Sequence, residues 1–352
     1  MSRLSRQPLV APALAAVCLL AVPGRAPAQP GVRDRVVLQL EGASAPAIVS
    51  GTVVDYNRHE ISIRIRPSQA PRSYPASQVI EVHTPQTEPH ARGLEELAAG
   101  RIDAAVSALE EAILQESRDW VRQDVRAMLV HCALRRGDYV AAGERFLSLV
   151  EAAPATRHFG LIPLWWTTAS PAGAHENAAR GWLVQPSPVA QLLGASALLT
   201  TPAHGAAAET KLRELLSSGT DYHFHLLAQA QLWRLRLNAG DLGRQELARW
   251  QARIESLPDD LQGGPWYVLG RGRLRLREYD RAAAALLRLP IVHHADHFLA
   301  ARACLEAADA LITAGQTDQA AALYREVMER FETTPYAREA RDLLDAAAAE
   351  SE

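Results

Sequence analysis

The chain has 352 residues and a formal net charge of −3, because 37 basic residues are outnumbered by 40 acidic ones. It therefore lacks the excess of positive charge that general nucleic-acid binding requires. Hydrophobic residues make up 48% of the chain but aromatic residues only 6%, which predicts a core built mainly from alanine and leucine. Alanine has the highest helix propensity, so this composition favours a helical protein.

The N-terminus has the features of a secretory signal peptide. Arg3 and Arg6 form a positive region, Leu9–Val22 is apolar, and small residues close the segment 1–28. The apolar stretch of 14 residues is shorter than the ~20 residues that a membrane-spanning helix needs. We predict cleavage after residue 28, export to the periplasm or cell envelope, and no transmembrane span in the mature chain. The alternatives are lipidation at Cys18, which the preceding valine disfavours, and an apolar N-terminal helix that is retained.

Residues 32–85 alternate apolar and polar side chains in the manner of half-buried β-strands. Val36 and Leu38 are separated by one residue, and so are Ile61 and Ile63. Glycine, asparagine and proline residues between these segments provide turns. Five short strands in this stretch predict a small five-stranded β-barrel, which resembles an SH3-like or Sm-like barrel in its pattern but has no diagnostic motif. Two roles are open, a structural cap or spacer and the recognition of a ligand or glycan.

Beyond residue 91 the sequence has a helical pattern in which one short motif recurs. A turn of three residues is followed three positions later by an alanine, and an apolar or aromatic residue comes four positions after that. The first two copies lie 37 residues apart and the last two 38, and a fixed period of this size marks an array of stacked helical hairpins. The turns are Gly100-Arg101-Ile102, Gly137-Asp138-Tyr139, Arg277-Glu278-Tyr279 and Gly315-Gln316-Thr317.

This motif resembles that of the tetratricopeptide repeat, a helix–turn–helix unit of about 34 residues. Glycine permits the tight turn, small residues let the paired helices approach, and an aromatic residue fills the space between units. The resemblance implies a mainly α fold, a right-handed α-solenoid that follows the β-barrel, with repeats over 91–154 and 221–348 and a degenerate helical insert over 155–220. The best local match comprises Trp266, Leu269, Gly270, Tyr279, Ala282, Leu286 and Pro290.

The resemblance also implies an interaction site, because in this family the first helix of each repeat lines a concave groove. The frame of the best match places five basic side chains in that groove: Arg271, Arg275, Arg234, His131 and Arg135. Arginines gathered in this way would bind the carboxylates of an acidic peptide or polymer through bidentate pairs. The alternative is that they pair with neighbouring acids of the chain, such as Glu278 and Asp138.

Two further clusters are candidates for function. Trp165 and Trp166 lie in the strongest aromatic segment, which indicates either core packing of the insert or a hot spot for a partner or a second copy. Residues 293–297 contain three histidines and Asp296, the residue types of a Zn²⁺ site. A solvated loop between repeats is the other interpretation of that segment.

The chain contains none of the common catalytic, phosphate-binding or paired-cysteine motifs, so we predict no cofactor. The sequence favours a non-enzymatic protein–protein interaction scaffold of the bacterial cell envelope, with a protein or peptide partner that is acidic. Two alternatives stay open. One is a metal-dependent or enzymatic module that uses residues 293–297 or the barrel, and the other is a self-assembling structural protein.

Overall fold

A computed structural model describes residues 33–171, 173–217, 222–238 and 240–349. The predicted signal peptide, residues 1–28, lies outside these ranges. The described part is mainly helical, with a five-stranded antiparallel sheet at its N-terminal end. No helix in this part combines the length and the hydropathy needed to cross a membrane.

The strands follow the alternation of the sequence, since Val36, Leu38, Ile61 and Ile63 are fully buried on the inner face. Within the described residues 33–85 the strands pair in the order β4-β3-β2-β1-β5, and the outer strands β4 and β5 do not pair with each other. The five predicted strands are therefore present, but their predicted closure into a barrel is not confirmed. The strands are β1 (Asp34–Leu38), β2 (Ala47–Tyr56), β3 (Glu60–Arg64), β4 (Arg72–Pro75) and β5 (Val79–His83).

The helices pack mainly against their neighbours in sequence. The pairs α1 with α2, α3 with α4, α10 with α11 and α13 with α14 are the hairpins that the recurring turn predicts, whereas a right-handed solenoid remains a prediction. The bounds are α1 (Glu88–Ala98), α2 (Ile102–Gln115), α3 (Asp119–Arg135), α4 (Tyr139–Ala152), α5 (Ala174–Leu183), α6 (Pro188–Leu198), α7 (Gly205–Ser217), α8 (Tyr222–Arg236), α9 (Arg244–Glu255), α10 (Gly263–Arg275), α11 (Tyr279–Leu286), α12 (Arg288–Ile291), α13 (His297–Thr313), α14 (Thr317–Arg330) and α15 (Pro335–Ala349).

The four recurring turns share one backbone conformation. Gly100, Gly137 and Gly315 have φ angles of 75°, 69° and 79°, in the left-handed region that glycine adopts most readily. Arg277 occupies the equivalent position with φ 58° and is the one non-glycine residue with positive φ among the described residues. The repeated motif therefore reflects a need for positive φ at this position, and the backbone adopts it at Arg277 even without glycine.

Close contact between the two helices of a hairpin depends on a second glycine. A Cβ added at Gly270 in α10 would lie 2.6 Å from Cγ of Leu286 in α11. The same relationship joins Gly93 in α1 to Leu109 in α2, where the distance would be 2.7 Å. Real Cβ atoms do not approach other atoms so closely. The absence of a side chain at each glycine therefore allows the two helices of each hairpin to pack at this distance.

The middle of the chain departs from the repeat pattern. An irregular segment over 153–171, which contains a 3₁₀ turn at Phe159–Leu161, connects α4 to α5. Helices α5, α6 and α7 then pack in succession, and α7 packs on α8. The irregular segment lies on the inner side of the array, where it takes part in the cavities described below.

The sheet is fixed to the helices through the start of α3. Trp120 is 2% exposed and belongs to the same hydrophobic core as the inner face of the sheet, and its Nε1 donates to the backbone oxygen of Val53 at 3.2 Å. Arg118 pairs with Glu116 at 2.7 Å and donates to the hydroxyl of Thr84, at the end of the sheet. These contacts make the sheet part of one packed body with the first repeats.

Candidate functional site

The second and last repeats contact each other. Helix α3 packs against α13, and the hydroxyl of Tyr139, at the start of α4, donates to Oδ2 of Asp296 at 2.8 Å. A Cβ added at Gly137 would lie 2.7 Å from the ring of Phe298. Two cavities are lined by residues from both partners of this contact.

One of these, which we call the central cavity, has a volume of about 570 Å³. It lies between α3, the irregular segment over 157–166, the turn that precedes α10 and the segment that precedes α13. Its apolar lining includes Leu134, Ile162, Leu164, Trp166, Leu227, Leu289 and Leu299. Its polar lining includes four histidines, His131, His158, His293 and His294, together with Asp259, Asp260 and Asp296. A mixed lining of this kind suits a ligand that has both an apolar and a polar part.

A group of basic side chains, which we call the basic cluster, lies beside this cavity and consists of His131, Arg135, His294 and His297. Burial, together with the charges of Arg135 and His294, lowers the pKa of His131 to about 4. Burial and the charge of Arg135 likewise lower the pKa of His297 to about 4. Both imidazoles are therefore neutral at pH 7, and Arg135 supplies the positive charge of the cluster.

Arg135 has no acidic partner within the described part of the chain. It is half-buried at the C-terminal end of α3. A half-buried guanidinium without a carboxylate retains most of its capacity to bind an anion, since five N–H donors stay available. The structure thus brings together two sets that the sequence treated separately, His131 and Arg135 of the predicted groove and histidines of the 293–297 cluster.

The other predicted groove residues lie elsewhere. Nη1 of Arg271 pairs with Oε1 of Glu306 at 2.9 Å, and Arg302 and the hydroxyl of Tyr267 bind the same oxygen. Arg275 is exposed in the last turn of α10 and has no ion pair within the described ranges. Neither Arg271 nor Arg275 lines the central cavity.

Arg234 requires a correction, because its side chain is fully buried and cannot reach a partner. Its Nη1 donates to the backbone oxygen of Ser196 at 2.7 Å and to Oε1 of Gln231 at 2.6 Å, and Nη2 donates to the backbone oxygen of Thr167. Burial lowers its pKa to about 9. The guanidinium joins α8 to α6 and to the irregular segment, so its role is structural.

The histidine segment does not form a metal site. Asp296 is the N-cap of α13, where its Oδ1 accepts from the backbone N–H of Leu299 at 2.9 Å, and its other oxygen binds Tyr139. The ring of His297 packs 4.8 Å from that of Phe331. Within the described residues, no group of three or more histidine, cysteine, aspartate or glutamate side chains could hold a metal ion. The segment therefore lacks the converging ligands that Zn²⁺ needs.

The two tryptophans of the predicted hot spot have different surroundings. Trp166 is 7% exposed and lies so close to Gly264 that an added Cβ would be 1.9 Å from its ring. It packs in the hydrophobic core and also lines the central cavity, so the hot-spot interpretation stays a prediction. Trp165 is half-buried, with its ring centroid 5.0 Å from those of both Tyr139 and His175, and it borders a different cavity.

Sequence reasoning missed the pairing of Tyr139 with Asp296. Tyr139 was assigned to the aromatic position of a turn, and Asp296 to a candidate metal site. The residues are 157 positions apart, so no local pattern relates them. A weak signal existed at Asp296 alone, because an aspartate directly before an apolar helical stretch is a common N-cap.

In a comparison with protein families, residues 96–162 match the tetratricopeptide repeat. The match covers α2, α3 and α4 and ends inside the irregular segment. No curated protein and no solved structure matches the chain. Tetratricopeptide repeats generally mediate protein–protein interaction and are typically non-enzymatic. The recurring turns, the helical hairpins and this match together support the tetratricopeptide repeat family.

Proposed function

We propose that this protein is an exported, non-enzymatic scaffold of the bacterial cell envelope that binds an acidic segment of a protein partner. The segment would bind at the central cavity, with its carboxylates on the basic cluster. The observation that carries the proposal is Arg135, a half-buried guanidinium that has no acidic partner among the described residues and lies beside His131 and His297. The proposed site keeps His131 and Arg135 of the predicted groove. Arg234 is excluded because it is buried, and Arg271 is excluded because it pairs with Glu306.

Apolar side chains beside the cluster support a protein partner over a free anion. Ile291 and Val292 are 68% and 57% exposed, directly before His293 and His294. Val292 also lines the central cavity. Large exposed aliphatic side chains next to a charged cluster are typical of interaction surfaces. A partner segment with acidic and apolar residues would satisfy both features.

The histidines give this binding a defined pH dependence. In the free protein the pKa of His131 and that of His297 are about 4, so neither imidazole is charged at neutral pH. A bound carboxylate would raise both pKa values, because an opposite charge favours the protonated form. Binding is then coupled to proton uptake, and affinity rises as the pH falls from about 7.5 to about 5.

The test uses fluorescence anisotropy with a labelled peptide of alternating glutamate and leucine, and a second peptide in which lysine replaces glutamate. Arg135→Glu is compared with Arg275→Glu, a matched charge reversal at an arginine that also lacks an ion pair among the described residues. We expect the acidic peptide alone to bind, Arg135→Glu to weaken binding by at least about tenfold, and Arg275→Glu to leave it unchanged. Loss in Arg275→Glu alone would place the site on α10, and equal binding of both peptides would contradict electrostatic recognition.

Export is tested separately. The full-length chain is expressed in a Gram-negative host, the periplasmic fraction is collected, and the N-terminus of the mature protein is determined by mass spectrometry. A mature chain that begins at Gln29 is the expected result, since small residues precede that position. A chain that keeps Met1 and stays in the cytoplasmic fraction would contradict the envelope assignment.

A further inference from the structure

A second cavity also borders the contact between the second and last repeats. It has a volume of about 690 Å³ and is bordered by the turn before α4, the segment over 165–171 and the starts of α5, α13 and α15. We call it the aromatic pocket, because its walls include the rings of Tyr139, Trp165, His175, Phe298 and Tyr336. Its volume is within the range of small-molecule sites, roughly 300–1,000 Å³.

The central ring of this pocket, that of Trp165, is held in a fixed orientation. Its Nε1 donates to the backbone oxygen of Ala169 at 2.7 Å, and its backbone N–H donates to Oγ of Ser196 at 2.7 Å. Tyr139 and His175 both meet it edge-on, with ring centroids 5.0 Å away. Because these contacts already fix the ring, a ligand that binds to it causes little further loss of side-chain conformational entropy.

The pocket also contains a hydroxyl group that lacks a partner. Thr167 is 8% exposed, and its Oγ1 is buried without a hydrogen bond among the described residues. Leaving a buried hydroxyl unpaired costs free energy. Ser170 adds a second hydroxyl, whose Oγ donates to the backbone oxygen of Thr200 at 3.1 Å and keeps its acceptor capacity for a ligand.

The charges that border the pocket are largely neutralised by the chain itself. Arg136 pairs with Asp103 at 2.8 Å, and Arg302 shares Oε1 of Glu306 with Arg271, each at 2.9 Å. Burial lowers the pKa of His175, so this ring is neutral at pH 7. Asp138 contributes one carboxylate, of which Oδ1 caps α4 by accepting from the N–H of Ala141. The pocket thus presents aromatic surface, hydroxyl groups and one hydrogen-bond acceptor, without a surplus of unpaired cations.

We propose that the aromatic pocket binds a neutral saccharide. A sugar ring presents an apolar C–H face, which packs on an aromatic ring such as Trp165, and equatorial hydroxyl groups, which hydrogen-bond to partners such as Thr167, Ser170 and Asp138. A free anion would meet guanidinium groups that are already paired, and a cation would meet two arginines. This site is distinct from the basic cluster and goes beyond the scaffold function proposed above.

The test is isothermal titration calorimetry of the chain from residue 29 onwards with three neutral tetrasaccharides, namely cellotetraose, maltotetraose and N-acetylated chitotetraose. A chitosan tetramer and tetragalacturonate are the cationic and anionic probes of similar size. We expect saturable binding of at least one neutral probe and none of the charged ones. Absence of binding to all three neutral probes, or preference for a charged probe, would overturn the proposal.

Variants then locate the site. Thr167→Val removes the unpaired hydroxyl at nearly constant volume, and we expect it to weaken binding about fivefold. The matched control is Thr200→Val, because the hydroxyl of Thr200 is also buried without a partner but does not line the pocket. Trp165→Ala should weaken binding by about tenfold or more, and a thermal melt verifies that it folds. Saccharide binding that survives both Thr167→Val and Trp165→Ala would exclude this pocket.

Discussion

The hydroxyl of Tyr139 lies 2.8 Å from Oδ2 and 3.0 Å from Oδ1 of Asp296, a residue 157 positions later in the chain. The aspartate also caps α13, so one half-buried carboxylate fixes the start of that helix and its contact with α4. An array of repeats normally places only neighbouring units in contact. Here the hydrogen bond joins the second recurring turn to the segment before the last hairpin.

We expect Tyr139→Phe to lower the free energy of unfolding by roughly 1.5–3 kcal/mol, because it removes a hydrogen bond to a half-buried carboxylate. Tyr279→Phe is the matched control, since Tyr279 occupies the equivalent position of another recurring turn and its hydroxyl has no hydrogen bond within the described residues. Urea unfolding of both variants gives the comparison. Equal effects in the two variants would mean that this hydrogen bond adds no stability.

The pH dependence of stability should show two opposing effects. The folded protein lowers the pKa of His131 and of His297 to about 4, from 6.5. Between these values the unfolded chain binds more protons than the folded one, so the free energy of unfolding rises with pH from about 4 to about 6.5. His131→Asn should reduce this rise, as measured by chemical denaturation at a series of pH values. A rise that is unchanged in the variant would contradict the assignment.

Asp296 has the opposite effect on the pH dependence of stability. Burial raises its pKa from 3.8 to about 6, so between these values the folded protein binds the additional proton. Its contribution therefore favours folding at low pH and is lost as the pH rises through about 6. Asp296→Asn removes this effect, and we expect the stability of the variant to increase more steeply with pH than that of the parent chain. A shallower increase would show that the carboxylate is not raised in pKa.

The turn at Arg277 offers a test of backbone strain. Replacement by glycine should stabilise the protein by roughly 0.5–1 kcal/mol, because the gain from removing a side chain at φ 58° exceeds the entropy that glycine loses on folding. The reverse change, Gly315→Arg, should destabilise by about 1 kcal/mol, since an added Cβ there meets no atom within 4 Å and only the backbone is strained. Thermal melts of the two variants should shift in opposite directions. A shift in the same direction would mean that side-chain contacts at these turns outweigh the backbone.

The attachment of the sheet can be tested at Trp120. We expect Trp120→Ala to cost roughly 3–5 kcal/mol, since it empties a core that the sheet shares with α3. Trp120→Phe keeps most of the packing but loses the hydrogen bond to the backbone oxygen of Val53, and about 1 kcal/mol is the expected cost. Hydrogen exchange of the amides in β1 and β2 reports on the sheet directly. Unchanged exchange in Trp120→Ala would show that the sheet is stable without the helices.

Local features of the fold could be predicted from the sequence, whereas contacts between distant segments could not. The recurring turns depend on φ at one position, so Gly137 and Gly315 identified them directly, and even Arg277 was recognisable from its surroundings. The strands were equally visible, because alternation along a strand is a local property. Arg234 was placed in a groove for the same local reason, yet it is buried because α6 and the irregular segment pack over it.

The residues of the candidate site could also be selected from the sequence, but their contacts could not. The sequence selected His131, Arg135 and the histidines of 293–297 as basic or metal-binding groups, but it could not place them beside one another. Their proximity depends on the contact of α3 with α13, which is determined by the packing of all the units between them. Trp165 and Trp166 illustrate the limit within a single segment, since these adjacent residues line different cavities, Trp166 the central cavity and Trp165 the aromatic pocket.

The contact between the second and last repeats also limits how this protein can evolve. In an open array a hairpin can be gained or lost, because each unit meets only its neighbours and the new ends are free. Here an additional hairpin between α4 and α13 would move Asp296 away from Tyr139, and the loss of one would force the two segments into collision. The number of units between these residues is therefore expected to be constant among descendants of this chain, while residues on the outer helices are free to vary.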